Sequence, residues 1–169
     1  SEGMQDNGRS SGFMGFSNMT SDRLRHAVGG ADLYGLLGYK AFTAMFEYTT
    51  ALRRFSKQNL TYNGHGAKPA AYTIEGDYAF RLFKMPATFG LAYQGSHDAL
   101  GLNIPTKRYL AALQLLVRKY TLFTLEFRHD TNYGKSATAT GQGSANIAYT
   151  SNELGKGSNV VTAQIATYF

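Results

Sequence analysis

The sequence predicts an all-β fold, an antiparallel transmembrane outer-membrane β-barrel with about eight strands in view. Three observations point there. Apolar and polar residues alternate with period 2 in segment after segment, the period of a β-strand whose side chains face opposite sides in turn. The links between segments are alternately tight and long. The composition, with 19 Gly, 12 Tyr and 11 Phe but no Cys or Trp, is that of a glycine- and aromatic-rich β protein.

Residues 1–10 are polar and glycine-rich and are expected to be flexible, and "SGFMGFSNM" (11–19) reads as a first strand. "ADLYGLLGYK" (31–40) follows as a weaker one. From 41 to 53, Phe42, Ala44, Phe46, Tyr48 and Leu52 share one face, while Thr43, Glu47, Thr49 and Arg53 share the other. From 70 to 82 the apolar row is Tyr72, Ile74, Tyr78, Phe80 and Leu82 against Thr73, Glu75, Asp77 and Arg81. From 87 to 96, Phe89, Leu91 and Tyr93 oppose Thr88, Gln94 and Ser96. From 107 to 118, Tyr109, Ala111, Leu113, Leu115 and Val117 oppose Arg108, Gln114 and Arg118. From 121 to 130, Phe123, Leu125 and Phe127 oppose Thr124, Glu126, Arg128 and Asp130. "VVTAQIATYF" (160–169) is the last strand.

A soluble sandwich and a membrane barrel share this period, so alternation alone does not say which face is covered. The links decide. Those near Lys40, at 83–86 and at 118–120 are tight, and those at 53–69, 96–106 and 131–157 are long and polar. All short turns then lie at one end, as in outer-membrane barrels. A soluble core would also have to satisfy the hydroxyls of Tyr72, Tyr78, Tyr93 and Tyr109, which interfacial girdles accommodate.

The whole chain, 1–169, reads as one barrel unit of net charge +6 and pI near 9.5, suited to anionic partners. The absence of Cys excludes a disulfide framework and a thiolate metal site. The longest apolar run, "YLAALQLLV" (109–117), is about half of what a membrane-spanning helix needs. The polar start "SEGMQDNGRSSG" is no signal peptide, so the chain reads as a mature or truncated product.

Val161, Ala163, Ile165 and the terminal Phe169 resemble the C-terminal signal by which the barrel insertion machinery reads the last strand of outer-membrane proteins, although Thr167 stands where an aromatic is usual. Three further stretches, "YNGHGAKPAAYTIEGDYAF" (62–80), "AYQGSHDALGLNIPTKRYLAAL" (92–113) and "EFRHDTNYGKSATATG" (126–141), resemble the C-terminal part of the LbtU-type siderophore porin family. Members are longer, with a helical N-terminal region and additional strands, so the resemblance implies a C-terminal portion or a shortened relative. It also implies passage of a ferric siderophore without a TonB-type plug. Nothing in the chain resembles a plug domain or TonB box.

The polar rows nominate Glu47, Glu75, Asp77, Arg81, Arg108, Arg118, Glu126 and Arg128 as lumen-lining residues. Fixed guanidinium charge in a narrow passage attracts an anionic ferric siderophore or similar chelate; the alternative is ionic pairing of the arginines with Glu75, Asp77 and Glu126 as cross-strand partners, filling the interior of a small, plugged, structural or surface-interacting barrel. Arg53, Arg54, Lys57, Lys68, Lys107 and Lys135 fall on long loops, as candidates for ligand capture or for lipopolysaccharide phosphates. Homo- or hetero-oligomers are compatible with an incomplete wall.

Enzymatic activity is not expected. His97 with Asp98 and His129 with Asp130 are adjacent in strands and point apart, so neither dipeptide makes a general-base couple. His65, His97 and His129 lack metal-ligand spacing, no cofactor is implied, and the basic residues form no aromatic-interleaved stripe for nucleic acid.

Overall fold

The computed structural model describes residues 27–139 and 154–168. Seven long strands form one antiparallel sheet in the order β1 (Gly30–Tyr39), β2 (Phe42–Ala51), β5 (Ala70–Leu82), β6 (Met85–His97), β7 (Lys107–Arg118), β8 (Thr121–Thr131) and β9 (Gly157–Thr167). β3 (Thr61–Tyr62) and β4 (His65–Gly66) pair separately, and a 3-10 turn spans Leu100–Leu102. The expected strand at 11–19, the flexible 1–10 and the terminal Phe169 lie outside the described residues.

The alternating rows stack in register across all seven strands. One row runs Phe42, Tyr78, Phe89, Leu113, Leu125, Ala163 through successive Cα partners. On the opposite face Glu47, Thr73, Gln94, Arg108, Asp130 and Ser158 follow one another in the same way. A one-residue slip would mix these faces, so the pattern itself pins the register.

The short connections are two-residue turns: Lys40–Ala41, Phe83–Lys84 and Lys119–Tyr120. The link expected at 83–86 is shorter than its sequence suggests, because Met85 and Pro86 already pair with Leu82 and Arg81. Proline costs no ladder bond there, since β7 pairing begins only at Ala87. The strand expected at 41–53 stops at Ala51, whose N–H turns to the Pro69 carbonyl in the long loop at 2.9 Å.

The long connections fold together into a cap at the opposite end. Asn63 and Gly64, with φ of 46° and 79°, make the tight β3–β4 hairpin, a geometry that Asn-Gly adopts with least strain. Asn63 donates its N–H to the Thr138 carbonyl at 2.8 Å and accepts the Thr138 N–H on its side chain at 3.0 Å, tying the 53–69 loop to the segment after β8. Here lies the apolar core: Leu60 and Ala67 are fully buried, and Leu100, Tyr133, Ala137 and Ala139 pack together against Tyr62 and Leu154.

The sheet has the inverse distribution. Phe42, Ile74, Tyr78, Leu91, Leu125 and Phe127 are exposed, whereas Glu47, Glu75, Asp77, Arg108, Glu126 and Arg128 on the other face are half-buried. Val161 and Ile165 at the β9 edge are 68% and 70% exposed. The sheet thus curls its ionic face inward.

Because the cap has a core of its own, Leu60→Ala should cost about 2–5 kcal/mol there. Hydrogen exchange would show the loss confined to the 53–69 and 98–106 segments, with sheet amides still protected; uniform loss across β5 to β8 would show that cap and sheet unfold as one unit.

Candidate functional site

The inward face holds a concavity of about 310 Å³. Its floor is made of small residues on adjacent strands, Gly90 and Ala92 of β6 and Ala112 of β7, and its walls carry Glu75, Asp77, Thr88, Gln114 and Glu126. A Cβ at Gly90 would lie 2.5 Å from Asp77 Oδ1, so the carboxylate rests in the space a side chain would take and would have to rotate away from one.

Of the eight residues expected to line this face, seven share it by register: Glu47, Glu75, Asp77, Arg81, Arg108, Glu126 and Arg128. Arg118 departs. The β7 strand bulges between Leu116 and Arg118, and Arg118 ends opposite Thr121, in line with the Phe123 and Leu125 row. One extra residue in a strand shifts the alternation, a signal that periodicity alone cannot supply.

The arginines do not reach the concavity. Arg108 is clamped by Asp130 in a bidentate pair, Nε to Oδ1 at 2.6 Å and a terminal nitrogen to Oδ2 at 3.0 Å. Arg128 Nε lies 3.4 Å from the same Oδ2, close enough for charge attraction but not aligned as a hydrogen bond. Asp130 is itself buried. The expected partners Glu75, Asp77 and Glu126 are therefore left to line the concavity, because Asp130 is the direct cross-strand neighbour of Arg108. Arg81, paired with Pro86 next to the Phe83–Lys84 turn, is exposed at the far end.

In the cap, Asp98 accepts one backbone hydrogen bond and has two basic side chains beside it. The Lys68 N–H donates to Oδ2 at 3.1 Å, Arg54 lies 3.5 Å from the same oxygen, and His97 Nε2 lies 3.3 Å from Oδ1. That last contact corrects the expectation that His97 and Asp98 point apart. β6 ends at His97, and Asp98 takes a left-handed φ of 52°, which swings its carboxylate back toward the ring. His129 and Asp130 do diverge, His129 toward Asn159 Oδ1 at 2.7 Å and Asp130 toward Arg108. Of the loop cations, Arg54 also donates to the Gly66 carbonyl at 3.1 Å, and Arg53, Lys57, Lys68, Lys107 and Lys135 are exposed on the cap and its margin. Ser96 Oγ donates to the Pro105 carbonyl at 2.8 Å and so receives the proton of the Tyr133 hydroxyl 2.8 Å away, while that hydroxyl accepts the Ala99 N–H at 3.1 Å. Among the described residues no group of three His, Asp or Glu side chains is arranged to hold a metal ion.

The apolar face carries two aromatic bands. Tyr72, Tyr93 and Tyr109 form a contiguous row near the cap, with centroids 5.8 and 5.0 Å apart, and the Tyr72 and Tyr93 hydroxyls hydrogen-bond at 3.3 Å. Toward the turns, Tyr78 contacts Phe42 at 4.6 Å and stacks on Phe80 at 5.9 Å. Val161, Ala163 and Ile165 continue the face on β9, opposite Phe127, Leu125 and Phe123.

These features define a class: an antiparallel sheet with an exposed apolar side, an ionic concave side and a folded loop cap at one end. The chain is 36% identical over 174 residues to a UPF0422 protein of Legionella pneumophila (strain Philadelphia 1), a match covering 99% of this chain and 32% of that protein. It is 34% identical over 160 residues to a UPF0422 protein of Coxiella burnetii, covering 95% and 34% respectively. The chain thus spans about a third of the length of the curated relatives it matches. No family model and no solved structure matches it.

Two predictions follow from these contacts. Removing one partner of a fully buried ion pair costs about 3–5 kcal/mol, but both guanidiniums here are about a third exposed and screened, so Asp130→Asn should cost roughly 1–2 kcal/mol. Urea unfolding of Asp130→Asn, Arg108→Ala and the double variant would yield the coupling; strictly additive losses would contradict the clamp. Burial raises the Tyr133 phenol above its usual value of 10.0, an effect only partly offset by its bonds to Ser96 and Ala99. A raised native pKa means that the neutral phenol's contribution is complete below pH 10 and is lost as pH climbs through the native value. Tyrosinate absorbance should therefore show a late-ionising component that is reduced by one phenol in Tyr133→Phe.

Proposed function

We propose that this chain is part of the wall of an outer-membrane β-barrel of porin type, with its apolar face toward lipid and its ionic face toward an aqueous lumen. The observation that carries the reading is the inverted burial of the sheet, apolar side chains exposed and ionic ones half-buried, in a chain that buries apolar residues normally in its cap. Strand lengths of 10 to 13 residues suit tilted membrane crossing, which takes about 9–11. The two aromatic bands fit interfacial girdles.

The resemblance of three stretches to siderophore porins supports a ferric siderophore as cargo. The charge of the concave face qualifies which one. Glu75, Asp77 and Glu126 line the concavity, while Arg108 and Arg128 are drawn to Asp130 outside it, in a cluster that keeps one net positive charge. A neutral or cationic ferric complex passes such a constriction more readily than the anionic chelate expected from the arginines. A second reading, a plugged small barrel with a structural or surface role, is favoured by the Arg108, Asp130 and Arg128 cluster, which fills part of the same face. An eight-stranded barrel would be filled by its own side chains, so a conducting lumen requires further strands in the full-length protein.

The purified protein should need detergent to remain monodisperse; monodispersity in plain buffer would overturn the membrane reading. In planar bilayers under a salt gradient the porin reading expects conductance with a cation-favouring reversal potential, reduced in the triple variant Glu75→Gln, Asp77→Asn, Glu126→Gln. Absence of conductance from an inserted protein would support the plugged barrel instead.

A further inference from the structure

The three two-residue turns share a composition: Tyr39 with Lys40, Phe83 with Lys84, and Lys119 with Tyr120. We propose that they form a cationic and aromatic belt that binds the phosphate groups of anionic phospholipids in the leaflet they face. The proposal rests on the membrane-barrel reading and extends it to the chemistry of one interface.

Placement is the first argument. Because long and short connections alternate strictly, all three pairs come to the same end of the sheet, and Tyr39, Phe83 and Tyr120 are exposed there by 66%, 84% and 55%. Aromatic rings with lysines beside them partition to the headgroup level, ring toward the acyl chains and ammonium toward phosphate. Lys40 Nζ and Lys119 Nζ each lie 5.2 Å from the centroid of the adjacent tyrosine ring, so ring and charge act as one unit.

Charge is the second. Among the described residues the carboxylates nearest in sequence to the turns are Glu47, Asp77 and Glu126, each six positions away. Six residues of strand span about 20 Å, roughly two Debye lengths at physiological salt, and this holds at Phe83–Lys84 and Lys119–Tyr120; at Lys40–Ala41 Asp77 comes nearer, because it pairs with Thr43. Arg81 and Arg118 flank two of the turns and add to the same sign. The opposite end differs, with Asp98 and Asp130 engaging cations of the cap and upper sheet.

Backbone geometry is the third. Lys40, Phe83 and Lys84 hold left-handed φ angles of 54°, 50° and 67°. Glycine and asparagine take such turn positions with far less strain, so the chain keeps bulky and charged side chains where the turn alone would favour their loss.

The test is lipid selectivity of the protein reconstituted in phosphatidylcholine vesicles, read as the motionally restricted fraction of spin-labelled phosphatidylglycerol against spin-labelled phosphatidylcholine. The wild type should prefer phosphatidylglycerol about fivefold, the effect of one surface lysine, and the preference should fall toward unity near 1 M NaCl. The variant Lys40→Asn, Lys84→Asn, Lys119→Gln should lose it while keeping its β-sheet circular dichroism, since asparagine relieves the two strained turns. Replacing the same lysines by arginine should retain it. Equal restriction of both lipids by the wild type, or unchanged selectivity in the triple variant, overturns the belt alone; restriction of neither lipid overturns the barrel reading together with it.

Discussion

Fifteen large apolar side chains on one face of the sheet, from Leu33 on β1 to Ile165 on β9, are each between 37% and 70% exposed. That single condition governs the rest. Covering a half-exposed Leu, Ile or Phe is worth on the order of 1 kcal/mol, so together they represent about as much free energy as the ~5–15 kcal/mol net stability of a domain. A face of this size has to be removed from water, and nothing in the described residues does so. The cap cannot, because its own core is closed around Leu60, Leu100 and Tyr133 at the end of the sheet. On the proposed reading hydrocarbon is that cover, and the two aromatic bands would flank it.

The same constraint organises charge. Once the apolar face is turned outward, ionic groups are confined to the concave face, the cap and the turns, and each place treats them differently. On the concave face Asp130 holds two guanidiniums away from the middle, which Glu75, Asp77 and Glu126 leave acidic although the chain as a whole is +6. In the cap Asp98 anchors the Lys68 backbone and Arg54, so that a buried carboxylate holds two loops together. At the Phe83–Lys84 and Lys119–Tyr120 turns the nearest described carboxylates, Asp77 and Glu126, are six strand positions away. A net charge summed over the sequence conceals this layering.

Much of the sheet was legible because period 2 and register are the same information: residues two apart share a face, and a face that is wholly apolar allows only one alignment with its neighbours. β5 and β7 match their expected bounds of 70–82 and 107–118, and β8 runs one residue past its expected end. What periodicity could not carry was local. The bulge that moves Arg118 out of the polar row is one residue of backbone, and the left-handed turn at Asp98 that brings His97 onto its carboxylate is one dihedral angle. The cap was missed altogether, yet it had a signal in Asn63-Gly64, the dipeptide best suited to a two-residue hairpin, flanked by Tyr62 and His65. The choice of Asp130 over Glu75 or Glu126 as arginine partner needed the register itself, which places Arg108 and Asp130 directly opposite.

Strand direction sets a last limit on how the sheet can be completed. β1 runs toward the turn end, since it enters the Lys40–Ala41 turn, and β9 runs the same way, since Tyr168 beyond it donates its N–H to the Tyr120 carbonyl of the β7–β8 turn at 2.9 Å. The two edges of the seven-stranded sheet are therefore parallel to one another, and joining them directly would make a parallel pair in an otherwise antiparallel wall. A second copy inserted in the same orientation meets the same obstacle, because its β1 would again face a β9 of equal direction. Open edges cannot persist in hydrocarbon, where each unpaired N–H and C=O costs several kcal/mol. An antiparallel closed barrel containing this sheet thus needs an odd number of further strands, so the total is even, and it is that number which decides whether Glu75, Asp77 and Glu126 face a packed interior or an open lumen.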